Sequence, residues 1–458
     1  MNTLFIVLLA IYLLVFIGIS ILDAKRVTDF GEYAVAGKKQ GSLAVTMTLL
    51  ATVLGASTTI GITDTVNQIG FPGIWWLIFG AVGLVLQSLI ISERVRGIDA
   101  DTLPDLAGRI VGKPAEVLLA LIIVISWVGD IAGQFVALGS IIAFATGINS
   151  RLLVAIVSII VIIYTMFGGQ LSVVKTDKIQ FVIILAGLIV SMIFLCFVKG
   201  SAEVTSQIEL LNDSYKPINL FNQFFVIGGV YFLGPDIMSR NFLAKDGKTA
   251  KRSALLAGMA LVIISLVITF LGLWVRTNVS ADELGGRKAL MYVASIVPKW
   301  IGVVLVLGLI SAIISSTDTC IINASTIFVK DVLRKDSVKG VRITVLVMGI
   351  VSVVLALAGS GDIMSLLTGA YSIYTPGIIF PLFIAIMVND KKRIRLSVWM
   401  AAVILGGAFG IVGTYFSGII TNLGLSEQVI PYLPLIGMFI SFVVAFLSLK
   451  RKGEVSGE

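Results

Sequence analysis

The sequence predicts an all-α, polytopic membrane protein with about 13 transmembrane helices, and three observations carry that expectation. Of 458 residues, 57% are hydrophobic and only 13% are charged, where a soluble chain carries roughly 25% charged. The mean hydropathy is +1.05. Apolar runs long enough to cross a bilayer, about 20 residues each, recur at 2–22, 42–66, 73–93, 115–146, 152–169, 177–198, 221–239, 253–275, 300–329, 341–358, 363–388, 396–416 and 431–449. The first run has no leading Arg or Lys and no small-residue cleavage motif, so it is expected to stay as a spanning helix.

The charge balance of +8 is topological and points to no nucleic acid. Lys and Arg number 27 in the loops 23–40, 94–114, 169–178, 239–252, 330–342, 389–396 and the tail, against 7 in the alternate loops. Basic residues collect on the cytoplasmic side, so the N-terminus is expected outside and the C-terminus in the cytoplasm of a plasma-membrane protein. No soluble domain is expected in the short tail beyond the last span. The chain contains no His, which removes imidazole zinc sites and His-based nucleophile pairs. Cys196 and Cys320 both lie in apolar runs, so no disulfide framework or metal cluster is expected.

Two spans are flawed in a telling way. The second carries Leu54-Gly55-Ala56-Ser57-Thr58-Thr59-Ile60-Gly61, and the seventh carries Gly228-Gly229 and Gly234-Pro235. Gly and Pro weaken helices, and unwound backbone survives in a membrane only beside protein or a cavity. Paired interruptions five spans apart point to an inverted-repeat transporter; close helix packing is the alternative use of the glycines. In the ninth span Ala312, Ser315 and Ser316 share one helical face. Two hydroxyls and a carbonyl there form an uncharged oxygen stripe suited to a hard monovalent cation. Asp318, in mid-span, is a costly carboxylate that favours function over helix glue.

Four segments resemble the sodium/solute symporter family. Asp29-Phe30 with Tyr33-Ala34-Val35-Ala36-Gly37-Lys38 resembles its "DF…AGR" segment, and Phe167 to Gln180 resembles its "GG…AV.TD..Q" signature. Arg240-Asn241-Phe242-Leu243-Ala244-Lys245 resembles its "R.LAAK" loop, and Ala312 to Asp331 its "A..ST…N..ST….D" helix. The resemblance implies a leucine-transporter-type 5+5 inverted repeat. On this chain that divides into an extra helix and loop (1–40), a first repeat (41–199), a second repeat (200–390) and two C-terminal helices with a short tail (391–458). It also implies a sodium site made by the carbonyls of Ala51, Leu54 and Ala312 and the hydroxyls of Ser315 and Ser316. In some members a second sodium is bound, and Asp177, Ser315, Asp318 and Thr319 fall on those positions; pairing of Asp177 with Lys175 or Lys178 is the alternative.

The resemblance implies an alternating-access symporter that imports a small polar organic solute with Na+, uses no organic cofactor and is not an enzyme. Candidate solute contacts are Thr58, Thr59, Asp130, Gln134, Tyr231 and Tyr374, with Val230 and Tyr371 beside them. Asp130 and Gln134 lie four apart on one helical face. Asp130 is open to three roles: receiving a solute amine, binding a cation or pairing internally. Ile227, Leu261 and Thr58 stand where sugar-carrying members have polar side chains, so an amino acid or organic acid is expected over a sugar. Val53 stands where the proline branch has an acid. Proton coupling through Asp130, Asp177 or Asp318, and a membrane solute sensor, are the rival readings.

Overall fold

The computed structural model describes residues 2–198, 203–204, 208–359, 363–416, 422 and 426–450. In chain order the helices are α1 (Asn2–Ala24), α2 (Phe30–Val35), α3 (Ser42–Val53), α4 (Ile62–Ile69), α5 (Trp75–Ile90), α6 (Ser92–Gly97), α7 (Leu103–Ile110) and α8 (Lys113–Thr146). There follow α9 (Ser150–Cys196), α10 (Pro217–Leu233), α11 (Pro235–Leu243), α12 (Gly247–Asn278), α13 (Ala281–Leu284), α14 (Ala289–Ile296) and α15 (Lys299–Ile327). Last come α16 (Val338–Ala358), α17 (Ile363–Val388), α18 (Leu396–Tyr415) and α19 (Leu433–Leu447). No strand occurs among the described residues.

Side-chain caps start several of these helices where the sequence changes character. Thr102 accepts the Asp105 amide at 3.0 Å to open α7, and Asp246 accepts that of Thr249 at 2.7 Å to open α12, each satisfying an amide the helix cannot. α1 buries Phe5, Leu9, Tyr12 and Phe16 on one face, against α9, and exposes Leu4, Ile11, Leu14 and Leu22 on the other. Both faces are apolar because the outer solvent is lipid. In α15 nearly every side chain from Gly308 to Ile327 is buried, hydroxyls and Asp318 included. That helix is the core of the bundle.

Among the described residues eleven helices are long and apolar enough to cross a membrane, and α3 with α4, bent by 64°, makes a twelfth. A thirteenth comes from α9, whose 47 residues would run about 70 Å if straight, more than twice a bilayer core. Thr165 touches Asp318 and Asp177 touches Ser315, although about 18 Å of continuous helix would separate Thr165 from Asp177. The chain reverses between them at Gly169, where φ is +61° and ψ −160°. Only glycine fits: a Cβ there would lie 2.7 Å from the Tyr33 ring and 2.8 Å from its carbonyl.

The two expected interruptions fare differently. The helix does end at Val53, with Leu54 at ψ +61°, and resumes through a π-helical turn, Ser57–Gly61. The seventh span breaks at Gly234-Pro235, where Gly234 adopts an extended ψ of 147°. At Gly228-Gly229, by contrast, the helix runs on unbroken. The close approach here belongs to Gly83 of α5, where a Cβ would lie 2.4 Å from the Gly228 carbonyl, whereas a Cβ on Gly228 or Gly229 would meet its neighbours at 3.4 Å or more. Arg240, read in the sequence as part of a loop, lies inside α11 and is fully buried.

At the end of the bundle that carries Lys38 and Lys330, an ionic strap joins three segments. Lys38 pairs with Asp99 at 2.6 Å and Asp101 at 2.8 Å, and Lys330, just beyond α15, pairs with Asp101 and with Asp105 at 3.3 Å. Thr102 donates to Asp331 at 2.7 Å.

Candidate functional site: the broken helix α3–α4 against α15

An α-helix leaves its last carbonyls without amide partners, and α3 does so deep in the protein. Thr52 and Val53 find hydroxyls instead: Ser316 donates to the Thr52 carbonyl at 2.8 Å, and Thr58 donates to that of Val53 at 2.6 Å. Ser316 also reaches the Ala312 carbonyl at 3.1 Å. Gly55 allows the approach, since a Cβ there would lie 2.7 Å from Ser316 Oγ and 3.2 Å from Gln134 Nε2. Gln134 holds the break from the other side by accepting the Ala56 amide at 3.3 Å. The structure therefore brings the Ala51–Gly55 segment, Ala312 and Ser316 together. Ser315 donates to Asp177 at 2.6 Å; an oxygen that gives its hydrogen away keeps its lone pairs for a cation.

The four residues expected around a second sodium are not gathered into one set. Asp177 accepts from Ser315 and from Thr48, and Arg240 Nη2 lies 3.2 Å from it. Both partners of this ion pair are fully buried. The guanidinium further donates to Thr52 Oγ1 at 2.8 and 3.0 Å, to Gln170 at 2.8 Å, and to Thr319. A fixed cation thus stands among Asp177, Thr319 and Thr52. Asp318 faces elsewhere and accepts from Tyr164 and Thr165 across to α9. Lys175, one alternative partner for Asp177, pairs with Asp23 instead.

Of the solute candidates, Thr58 and Thr59 turn their hydroxyls to their own helix, Thr59 donating to the Gly55 carbonyl at 2.8 Å. Asp130 is buried beside Cys320, whose thiol points at it from 3.4 Å. The Tyr231 ring packs on Gly80. Tyr374 is buried edge-on to Tyr371, ring centroids 6.0 Å apart.

Sequence reasoning passed over Thr48, Thr52, Gln170 and Arg240 as site residues. A signal existed: an acid expected inside a membrane needs a cationic partner, and Arg240 follows a helix break by only six residues.

Comparison with known proteins agrees with this architecture. The sequence profile of the sodium:solute symporter family matches residues 33–406. The osmoregulated proline transporter OpuE of Bacillus subtilis (strain 168) is 24% identical, over 98% of this chain and 96% of its own. A Na+-coupled sialic acid symporter, solved in a substrate-bound outward-open state, superposes with a TM-score of 0.80 at 18% identity, covering 97% of both chains. The nucleobase-cation-symport-1 transporter Mhp1 gives a TM-score of 0.63 at 14% identity, with 93% of this chain and 94% of its own covered. MhsT, solved with L-phenylalanine, gives 0.57 at 13%, with 90% and 99% covered. The fold is of the leucine-transporter type, and these relatives are transporters rather than enzymes. With most of its length matched to one family of Na+-coupled carriers, this chain belongs to the sodium:solute symporter family.

Proposed function

We propose that the protein imports a small amino acid or organic acid, rather than a sugar, together with one sodium ion across the plasma membrane. The N-terminus lies outside and the C-terminus in the cytoplasm. The observation that carries this reading is the seating of Ser316 on the broken end of α3, 2.8 Å from the Thr52 carbonyl and 3.1 Å from that of Ala312. Sodium held by the carbonyls of Ala51, Leu54 and Ala312 and the hydroxyls of Ser315 and Ser316 ties α3 to α15. That tie orders the first broken helix beside Gln134 and completes the solute cavity. With repeats at 41–199 and 200–390, the helix breaks after Val53 and at Gly234 would each interrupt the early part of a repeat, which suits binding between them and alternate opening to either side.

A coupling ratio of one follows from Arg240. A guanidinium beside Asp177 supplies the charge that a second sodium would bring, and it cannot leave. One sodium moving with a neutral or zwitterionic solute draws about 2.3 kcal/mol from each 100 mV of membrane potential, besides the sodium gradient.

The test is uptake into proteoliposomes as sodium is varied. Ser316→Ala should raise the sodium needed for half-maximal uptake by about tenfold or more. Unchanged sodium dependence removes the site from this face. Asp318, held by two hydroxyls, favours one rival, proton coupling. Uptake that follows pH at fixed sodium, and loses that response in Asp318→Asn, would establish it.

A further inference from the structure

Helices α5, α10, α17 and α19 enclose a slot of about 180 Å³, and every residue lining it is apolar or glycine. Ile90 and Phe224 in that lining are 36% and 37% exposed, so the slot opens onto the apolar surface that spanning helices turn to lipid. Its shape comes from α10. Residues 225, 228, 229 and 232 share one face of that helix, and the face reads Phe, Gly, Gly, Phe. The two phenylalanines reach across to α17, Phe225 to Phe380 at 6.3 Å and Phe232 to Phe383 at 5.5 Å between ring centroids. Between these ring pairs the glycines put no side chain. They neither break α10 nor relieve a clash, since a Cβ on either would meet its neighbours at 3.4 Å or more. What a side chain at 229 would occupy is the slot itself: its nearest neighbours would be Met438 and Ile379, both in the lining.

One end of the slot carries a charge. Ile90 of α5 and Phe383 of α17 line that end, and four residues beyond each stand Arg94 and Met387. These two touch, with Arg94 Nη1 3.0 Å from Met387 Sδ. A guanidinium offers five N–H donors, and a thioether is a weak acceptor. Arg94 is exposed and has no acidic partner among the described residues; its neighbour Glu93 is taken by Lys251 at 3.7 Å. An apolar slot that ends at an uncommitted guanidinium has the two-part chemistry of an anionic phospholipid. The tail meets carbon along its length, and the phosphate meets a side chain suited to bind it with two parallel hydrogen bonds. A water-soluble solute finds no hydrogen-bonding side chain in the lining. An apolar side chain from a second copy of the chain would fill the slot but leave Arg94 unmatched.

We propose that this slot binds an anionic phospholipid, one acyl chain lying against Gly228 and Gly229 and the headgroup phosphate on Arg94. The site is separate from the sodium cluster and stands whichever solute is carried. A lipid seated there braces α10 against α17 just ahead of the Gly234-Pro235 break.

The experiment adds phosphatidylglycerol or phosphatidylcholine, with identical acyl chains, to the purified full-length protein in detergent. Native mass spectra count the lipid retained, and thermal melts read its effect. Phosphatidylglycerol should be retained more tightly and should raise the melting temperature further. Arg94→Gln, at an exposed position, should weaken phosphatidylglycerol about fivefold and leave phosphatidylcholine as it was. Gly229→Leu, which fills the slot, should reduce retention of both lipids. Glycerol 3-phosphate, a headgroup without tails, should do nothing. Equal retention of the two lipids by the wild type, or retention unchanged in Arg94→Gln, overturns the proposal, and so does stabilisation by glycerol 3-phosphate equal to that by the lipid. A dimer that dissociates in Gly229→Leu, with no phospholipid retained by the wild type, assigns the slot to a second copy of the chain and also overturns it. Should Gly229→Leu fail to fold, the wild-type lipid pair and Arg94→Gln decide.

Discussion

Two cation-suited clusters adjoin along the same turns of α15 and differ in one respect. Around Ser316 the oxygens are uncharged, drawn from a helix end and two hydroxyls. Around Asp177, less than a turn away along α15, the oxygens include a full carboxylate, and a guanidinium of the protein itself sits against them. Thr52 joins the two: its carbonyl receives Ser316 and its hydroxyl receives Arg240. The contrast teaches that a carboxylate in a membrane core is no pointer to a mobile ion. Because the charge is expensive, the protein has matched it permanently. On the reading proposed above, the mobile ion goes where the protein carries no net charge, so that both the occupied and the released states are tolerable.

Each way of disturbing this contrast gives a distinct expectation. Arg240→Gln should have the largest effect, about 3–5 kcal/mol of lost stability, because it strands a buried carboxylate. Thermal melts should show the loss recovered in part by adding Asp177→Asn, and should show Arg240→Gln gaining more from sodium than the wild type does. A loss too small to measure would mean that the pair contributes no net stability. Gly55→Ala comes next: its new methyl, 2.7 Å from Ser316 Oγ, should cost about 1–3 kcal/mol and weaken sodium binding by isothermal titration. Ser316→Ala should reverse that balance, shifting the melting temperature by less than the equivalent of about 1.5 kcal/mol for one neutral hydrogen bond while raising the sodium requirement. If the variant melts much earlier but keeps its sodium response, Ser316 belongs to packing.

The smallest effect lies at the ionic strap, outside the spans. Burial would raise the carboxyl of Asp105, but the Arg109 pair, Lys330 and the amide of Asp101 outweigh it, so it titrates below the ordinary aspartate range. A depressed acid contributes stability at neutral pH that disappears as pH falls through its folded value. Wild type should therefore lose slightly more stability than Asp105→Asn between pH 7 and the pH range below an ordinary aspartate's value, by about 1 kcal/mol or less. Equal losses would show that the strap contributes no pH-dependent stability.

Much of this was legible in the amino-acid order, and the remainder was not for physical reasons. Apolar runs give crossings directly, because only a helix satisfies its own backbone in lipid. The reversal at Gly169 was already implied by the two runs 152–169 and 177–198. The stripe Ala312, Ser315, Ser316 and the weak point at 54–61 could be read because both are local in sequence. Gly228-Gly229 misled because glycine permits a break without requiring one, and here the helix runs through both. Arg240 was misplaced because charge near a predicted helix end reads as loop, while its burial depends on Thr52, Gln170, Asp177 and Thr319 arriving from three other segments. No local pattern encodes such a convergence.

α15 also has a mechanical consequence. Fifteen residues separate Ser316 from Asp331, which at helical rise is a lever arm of about 22 Å. Swinging that arm by about 10° sweeps its far end through about 4 Å by simple trigonometry on the same length. The Thr102–Asp331 link spans 2.7 Å, so a small pivot at Ser316 is geometrically enough to part it.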